Sequence, residues 1–181
     1  GAQCRANLRQ PLANLRGVHD RVENLSGPYD VIASRAFASL SDFITWSSAA
    51  LAEQGVWSLD DKLSRYLGRN AWYPRLPNSE RLTVRLLLQH RAGLENYYDN
   101  PRFFDLLRRE TAANPSYAPT FETLINFVAD RPPLFPPGEG FKYTDVGYLL
   151  VGLAIEQATG RPYYETARAL LLDPLGLNLT S

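Results

Sequence analysis

The chain has 181 residues, of which 45% are hydrophobic, and it contains 12 glycines and 13 prolines. This length and composition are typical of one soluble globular domain, or of one domain with a small appendage, and exclude a disordered chain. The formal net charge is +0, so neither nucleic acid nor an anionic membrane is an expected partner. No apolar run approaches the roughly 18 residues that a membrane-spanning helix needs.

Several residue types are scarce, and this limits the chemistry. The chain has no methionine, which predicts a processed product, a fragment or an engineered chain rather than a complete reading frame. Cys4 is the single cysteine, so no internal disulfide forms. His19 and His90 are the only histidines, and with one cysteine they lack the spacing of a metal site. Lysine occurs only at Lys62 and Lys142.

Residues 1–57 are predicted to form a short α/β segment. Arg16–Val22 and Tyr29–Ser34 are β-branched runs separated by a Ser-Gly-Pro turn, which is typical of two short strands. A helix is predicted over Ser39–Glu53, where apolar residues recur at helical spacing. Gly55 is expected to end this helix, and Val56-Trp57 to begin a strand. The apolar residues of the helix are Leu40, Phe43, Ile44, Ala50 and Leu51, and we expect them to pack on the helices that follow.

The segment Tyr29–Leu40 reads YDVIASRAFASL and resembles the glucose-inhibited division B family. Members of that family are 16S ribosomal RNA guanine methyltransferases with a Rossmann-like fold that binds S-adenosylmethionine. The resemblance implies a methyltransferase-like βαβ fragment over residues 1–57. The glycine-rich loop that holds the cofactor in such folds does not occur in this segment, so no cofactor is expected.

The remaining residues, 58–181, are predicted to be mainly helical. Thr83 and Asp145 are expected to cap two of the helices at their N-termini, and Gly160 to end one. The candidate helices are Leu59–Leu67, Val84–His90, Pro101–Glu110, Phe121–Asp130, Val146–Thr159 and Tyr163–Leu172. The six aromatic residues Trp72, Tyr73, Tyr97, Tyr98, Phe103 and Phe104 are expected to be buried, as most aromatic side chains are.

A long stretch of the second part resembles a hydrolase superfamily. Pro133–Gly160 holds a Pro-Pro-Gly turn, a Tyr-Thr-Asp triplet and a helix opened by Gly-Tyr, and Asp173–Leu177 reads DPLGL. Ser58–Leu67 and Leu82–Leu94 extend the likeness. These segments resemble the serine β-lactamase, penicillin-binding-protein and esterase superfamily of the class C type. The resemblance covers Ser58–Ser181 and implies a fold like the helical part of those enzymes.

The resemblance also implies an activity and two site residues. Such enzymes hydrolyse amide or ester bonds through an acyl-serine, with a serine, a lysine three residues later and a tyrosine that relays protons. Tyr143 occupies the tyrosine position, and Asp145 stands where the family often has asparagine. The alternative is that Tyr143 only packs and Asp145 only caps the next helix. His90 matches a position outside the catalytic set and is expected to be structural.

The nucleophile is missing from this pattern. No Ser-x-x-Lys sequence occurs, and the equivalent helix offers Ser39-Leu40-Ser41-Asp42. A carboxylate near Ser39 would make its alkoxide harder to form, so Ser39 is expected to be a helix cap. The Lys-Thr-Gly strand of the family is absent as well. Tyr143 and Asp145 are therefore inherited catalytic positions that are expected to be non-functional.

Three hypotheses follow for the whole chain, whose fold class is predicted to be mixed α/β. The chain is an active serine hydrolase, a fragment of an S-adenosylmethionine-dependent rRNA methyltransferase, or a catalytically silent chimera of the two segments. The missing elements favour the third, and whether the chain is an enzyme stays open. Incomplete sheets and exposed apolar faces predict a tendency to form homo-oligomers.

Overall fold

A computed structural model of the chain describes residues 40–175, with side chains for 42–174. The strands predicted over residues 16–34 lie outside the described residues, so the Rossmann-like part of the predicted fold class has no structural counterpart to report. Within 40–175 the regular elements are helices, and the pairing of Lys62 with Thr83 is an isolated antiparallel bridge. The mainly helical character predicted for the second part is confirmed.

The helices are α1 Leu40–Glu53, α2 Ser64–Leu67, α3 Val84–Leu88, α4 Pro101–Ala113, α5 Phe121–Asn126, α6 Asp145–Thr159 and α7 Tyr163–Ala167. A π-helical turn, Arg168–Leu172, follows α7, and 3-10 turns cover Tyr73–Arg75, Ser79–Arg81, Tyr97–Asp99 and Asp173–Leu175.

Helix α6 is the centre of the described fold. It is apolar around most of its circumference, and it packs against α1, α2, α3, α5 and α7. Gly147 permits a close approach to α3, because a Cβ at this position would lie 3.2 Å from the carbonyl oxygen of Leu87. Seven of the fifteen residues of α6 are buried and only Gln157 is exposed, as is typical of a helix in a core rather than on a surface.

Helix α1 packs on α6 and α7, as the apolar spacing of its sequence predicts. Ile44 and Leu51 are each only 2% exposed and join the core, which confirms this part of the prediction. Phe43 and Ala50 are only half-buried. Phe43 instead lies edge-on to Trp46, with ring centroids 6.1 Å apart, and Trp46 is itself exposed.

The end of α1 differs from the prediction in one respect. Gly55 ends the helix as expected, with φ at +69° and the paired hydrogen bonds of a Schellman motif, from Gly55 N to Ala52 O and from Val56 N to Leu51 O. The strand predicted to start at Val56-Trp57 is wrong, because these residues close the turn. Trp57 turns inward to the core, where its indole N–H donates to Ser48 O at 2.9 Å.

The helix predicted over Leu59–Leu67 begins only at Ser64. The preceding residues form a turn, in which the backbone N–H of Ser58 donates to the Asp61 carboxylate. Leu63 N then donates to Leu82 O beside the Lys62–Thr83 bridge. Tertiary pairing of these two segments therefore overrides the local helical pattern.

Two of the predicted helix caps are confirmed and one is wrong. Thr83 caps α3 by accepting a hydrogen bond from Leu86 N, and Gly160 ends α6 with φ at +67°. The cap of α6 is Thr144 rather than Asp145, because the Thr144 hydroxyl accepts from Val146 N at 3.2 Å. Asp145 is the first residue of the helix, where its negative charge interacts favourably with the positive end of the helix dipole.

Among the described residues, no helix combines the length and apolar character needed to cross a bilayer, and no group of acidic, histidine or cysteine side chains is arranged to hold a metal. Several large apolar side chains stay exposed, among them Trp46, Phe104, Phe141 and Tyr164. Self-association through such surfaces stays a prediction.

Candidate functional site

The two predicted site residues lie side by side at the start of α6. The Tyr143 hydroxyl donates a hydrogen bond to Asp145 Oδ1 at 2.9 Å. Tyr143 is 47% exposed, so a molecule in solvent can reach its phenol. The pair therefore forms a small polar group on an accessible surface.

Asp145 controls the proton affinity of Tyr143. The hydrogen bond to Asp145, followed by burial and the negative charge of the same carboxylate, raises the pKa of Tyr143 to about 12. No cationic side chain acts in the opposite direction. The phenol therefore keeps its proton at neutral pH and presents its oxygen as a donor to Asp145.

Neither lysine of the chain contacts the Tyr143 hydroxyl. The Lys142 ammonium pairs with Asp99 Oδ2 at 3.0 Å, and this pairing raises the pKa of Lys142. Lys62 donates to the backbone oxygen of Glu80 at 2.7 Å, in the bridge beside α2. Both positive charges are therefore directed toward partners other than the tyrosine.

His90 lies directly beneath Tyr143. Its ring centroid is 4.6 Å from that of Tyr143 and 5.0 Å from that of Tyr148, which it meets edge-on. The Nε2 atom lies 3.0 Å from the Tyr148 hydroxyl, and Nδ1 accepts a hydrogen bond from Thr144 N at 3.4 Å. The structural role expected for His90 is confirmed, because both ring nitrogens have partners.

These contacts fix the tautomer of His90. Since Nδ1 accepts from a backbone N–H, the ring proton is on Nε2 and is donated to the Tyr148 oxygen. Burial lowers the pKa of His90, and the negative charge of Asp145 only partly opposes that effect. The imidazole is therefore neutral at physiological pH.

The segment that carries Tyr143 is tied to its surroundings on both sides. Lys142 N donates to His90 O at 3.0 Å, and the Thr144 hydroxyl donates to Glu95 O at 3.0 Å. Glu95 in turn pairs with Arg131. The backbone on each side of Tyr143 is thus anchored to residues that follow α3.

A close backbone contact joins the loop after α3 to the segment that precedes Tyr143. Asn78 Nδ2 donates both to Ala92 O at 2.9 Å and to Phe135 O at 3.1 Å. Gly93 has φ at +73°, and a Cβ there would lie only 2.2 Å from Phe135 O. The loop after α3 can therefore approach the Pro-Pro-Gly turn only with glycine at position 93.

The aromatic residues around the site follow the expected burial only in part. Tyr73 and Phe103 are buried, whereas Tyr98 and Phe104 are exposed, and Trp72 and Tyr97 are half-buried. Phe141 was not among the aromatic residues singled out from the sequence, yet it is 70% exposed and lies edge-on to His90. The sequence signal that could have indicated an exposed loop at Phe141 is the Pro-Pro-Gly turn that precedes it.

The helix cap expected at Ser39, where the family pattern would have its nucleophile, cannot be tested, because Ser39 and the Ser41 side chain lie outside the described residues. Asp42 is exposed on the first turn of α1. Sequence reasoning missed Thr144, which caps α6 and accompanies Tyr143, although a threonine directly before an apolar helix is itself a capping signal. Tyr143, Asp145 and His90 are the residues that the structure brings together.

Comparison with known proteins divides the chain into two overlapping parts. The beta-lactamase family model matches residues 43–181, and the model described as rRNA small subunit methyltransferase G matches residues 5–59. Ribosomal RNA small subunit methyltransferase G of Paracidovorax citrulli is 62% identical over 55 residues, which are 30% of this chain and 22% of that protein.

Penicillin-binding protein 4* of Bacillus subtilis is 31% identical over 144 residues, which are 79% of this chain and 29% of that protein. Among solved structures, a D-stereospecific amidohydrolase from Streptomyces sp. is similar with a TM-score of 0.68 and 26% identity, over 76% of this chain and 41% of that one. The chain therefore spans between 22% and 41% of the length of these similar proteins.

Proposed function

Because this chain belongs to the beta-lactamase family through residues 43–181, we propose that it presents the tyrosine side of a serine acyl-transfer site and forms no acyl-enzyme. The chain is a composite, since residues 5–59 match a methyltransferase family. Its family activity is the hydrolysis of amide or ester bonds, and the proposal is that this activity is silent here.

The observation that carries the proposal is the hydrogen bond from the Tyr143 hydroxyl to Asp145 at 2.9 Å. A tyrosine that relays a proton must accept it from a nucleophile or deliver it to a leaving group, which works best when its pKa lies near the operating pH. Here the carboxylate raises the pKa of Tyr143 to about 12. In the same hydrogen bond the Tyr143 hydroxyl donates its proton to Asp145, so this proton is not directed toward a leaving group.

The charges near the site support the same conclusion. Activation of a serine by lysine needs a positive charge one helical turn from the hydroxyl, but the position three residues after Ser39 is Asp42. The ammonium of Lys142, adjacent to Tyr143 in sequence, is paired with the Asp99 carboxylate at 3.0 Å. The charged side chain that acts on the Tyr143 phenol is the Asp145 carboxylate, whereas acyl transfer needs positive charge to stabilise an oxyanion.

The substrate panel follows from the family and its relatives. The compounds to be tested are amides and esters of D-amino acids, simple chromogenic esters and a chromogenic cephalosporin. They are chosen because similar proteins include a penicillin-binding protein and a D-stereospecific amidohydrolase. Hydrolysis by the purified chain and by its Tyr143→Phe variant should be equal to each other and to background.

A covalent test is more sensitive than turnover. The chain is incubated with a fluorophosphonate and with benzylpenicillin, and its intact mass is measured against an untreated sample. We expect no adduct. A stoichiometric adduct mapped to Ser39, or to any other serine, would contradict the proposal, and loss of that adduct in Tyr143→Phe would assign the tyrosine a working role.

The methyltransferase-like segment is tested separately. We propose that it does not bind S-adenosylmethionine, because residues 5–59 lack the glycine-rich turn that contacts the cofactor in Rossmann-like folds. Titration calorimetry is expected to show no heat beyond dilution at micromolar protein. Saturable binding in that range would instead favour a methyltransferase function for this part of the chain.

A further inference from the structure

A histidine occupies a backbone position at the end of α3 that usually belongs to glycine. His90 has φ at +56°, and the helix closes with a Schellman motif, from His90 N to Leu87 O and from Arg91 N to Leu86 O. Gly55 fills the same position at the end of α1. Since glycine adopts this conformation without the Cβ penalty, the backbone does not explain a histidine here.

The imidazole explains it. One ring nitrogen, Nδ1, accepts the Thr144 N–H at 3.4 Å, while Nε2 lies 3.0 Å from the Tyr148 hydroxyl. The backbone oxygen of the same residue accepts the Lys142 N–H. His90 therefore holds the residues on either side of Tyr143, and its ring lies against the Tyr143 ring at 4.6 Å.

We infer that His90 is the positioning residue for Tyr143: neutral Nδ1 holds the Thr144 N–H, and protonation at Nδ1 releases the segment and loosens the Tyr143–Asp145 pair. A protonated Nδ1 is a donor and faces another donor, so the hydrogen bond to Thr144 is lost. The inference deepens the site proposed above and rests on Tyr143 being its exposed residue.

The groups that face His90 set the direction of the pH response. Asp145 is the charged group that acts on it, and the hydroxyls of Tyr143 and Tyr148 are the titratable groups in ring contact. Lys142 contributes its backbone N–H, while its ammonium pairs with Asp99. Burial lowers the pKa of His90 more than Asp145 raises it, so release occurs below the ordinary histidine value of about 6.5.

The two histidines of the chain allow a clean measurement. In a His19→Gln variant, His90 is the single histidine, and its ring nitrogens are followed by nitrogen-15 NMR from pH 8 to pH 4.5. At pH 8 we expect the proton on Nε2. As the pH falls, the Thr144 amide and the Tyr143 ring signals should shift with the same midpoint as the His90 ring, below about 6.5. A proton on Nδ1 at pH 8, or Thr144 and Tyr143 signals that do not follow His90, would overturn the inference.

Replacing the side chain tests the consequence at high pH. His90→Gly keeps the backbone conformation that the Schellman motif needs, so the fold is expected to survive. The Tyr143 pKa, now about 12, should fall toward its ordinary value near 10 when the phenol is no longer held against Asp145. If that pKa stays at about 12, Asp145 alone positions the tyrosine and the inference is wrong.

A second variant separates the two ring nitrogens. Tyr148→Phe removes the partner of Nε2 but leaves the Nδ1 contact, so the Thr144 amide should still titrate with His90. Should His90→Gly fail to fold, the His19→Gln titration still decides the question. None of these readouts uses a substrate, so their failure is distinct from a failure of the proposed function, which would appear as turnover or an acyl adduct.

Discussion

The two sides of α6 satisfy their buried polar groups differently. On the α3 side, both nitrogens of His90 have partners, and the Thr144 hydroxyl bonds both Val146 N and Glu95 O. On the α1 side, the buried hydroxyls of Ser47 and Tyr163 lack a hydrogen bond of acceptable geometry. Burial raises the pKa of Tyr163, and the nearby Ser47 hydroxyl acts in the opposite direction.

This difference coincides with the overlap of the two family matches. Residues 43–59 are matched by both families, and they include most of α1. Its apolar residues Ile44 and Leu51 are fully accommodated, because hydrophobic burial is non-directional and any apolar stripe of suitable size can be covered. Hydrogen bonds need specific partners at specific angles. A helix can therefore join a foreign core through its apolar face and still leave its hydroxyls unmatched.

The α3 side is not perfect either. Asn96 is 1% exposed, its Nδ2 atom has no hydrogen-bond partner, and its Oδ1 accepts from Tyr97 N. An unpaired buried donor costs about 1–3 kcal/mol. The contrast between the two sides of α6 therefore concerns buried hydroxyl groups. Those of Thr144 and Tyr148 on the α3 side are hydrogen-bonded, whereas two buried hydroxyls on the α1 side are not. This contrast predicts which substitutions each side tolerates.

The largest expected effect is that of Gly93→Ala, and Gly55→Ala is its matched control. Both glycines have positive φ, Gly93 after α3 and Gly55 after α1. Gly93→Ala combines a left-handed conformation with a Cβ 2.2 Å from Phe135 O, and it should destabilise the fold by roughly 4 kcal/mol. Gly55→Ala has a similar φ of +69° but no atom within 4 Å of the Cβ, so it should cost only about 1 kcal/mol. Urea unfolding followed by circular dichroism measures both, and equal losses would contradict the tight packing behind the site.

The next prediction concerns how firmly α1 belongs to this core. Ile44→Ala removes a side chain that is 2% exposed and should cost roughly 3 kcal/mol. Phe43→Ala, the matched control on the same turn, should cost about 1 kcal/mol because Phe43 is only half-buried. The sequence pattern alone predicted Phe43 as a buried residue. If Ile44→Ala leaves the unfolding midpoint unchanged, α1 does not fold cooperatively with the rest.

The sequence predicted those parts of the molecule that local patterns determine. Six helices, the Thr83 cap, and the ends at Gly55 and Gly160 follow from spacing and from the preferences of single residues. The start of α2 and the turn at Val56-Trp57 do not, because pairing with Leu82 and burial of the Trp57 ring decide them. Tyr143 and Asp145 were predicted through the resemblance, and their hydrogen bond joins residues only two positions apart. The His90 contacts could not be predicted in this way, because they join residues 54 and 58 positions apart.

A smaller effect compares one tyrosine from each side of α6. Tyr148→Phe leaves the Nε2–H of His90 buried without its acceptor and should cost about 2 kcal/mol. Tyr163→Phe deletes a buried hydroxyl that makes no hydrogen bond of acceptable geometry, so stability should be unchanged within about 0.5 kcal/mol, or should rise. Both are measured by urea unfolding at pH 8. A loss for Tyr163→Phe as large as that for Tyr148→Phe would show that the α1 side is as well matched as the α3 side.

The smallest effect on stability, and the most local, is expected for Asp145→Asn. The amide keeps an acceptor for the Tyr143 hydroxyl, but the charge that favours the start of α6 is lost, at a cost of about 0.5 kcal/mol near neutral pH. Because the folded pKa of Tyr143 is raised to about 12, the wild-type chain loses stability as the pH rises from about 10, the unfolded value, through the folded one. Asp145→Asn should lower the Tyr143 pKa and reduce that alkaline loss.

Ultraviolet titration of the phenol measures this change, and the Tyr143→Phe variant supplies the subtraction, since Tyr66 and Tyr73 also have a pKa of about 12. Those two tyrosines owe their values first to burial, so they should not respond to Asp145→Asn. If the Tyr143 pKa stays at about 12 in the variant, its proton is held by something other than the carboxylate. The charge argument for a silent site would then lose its main support.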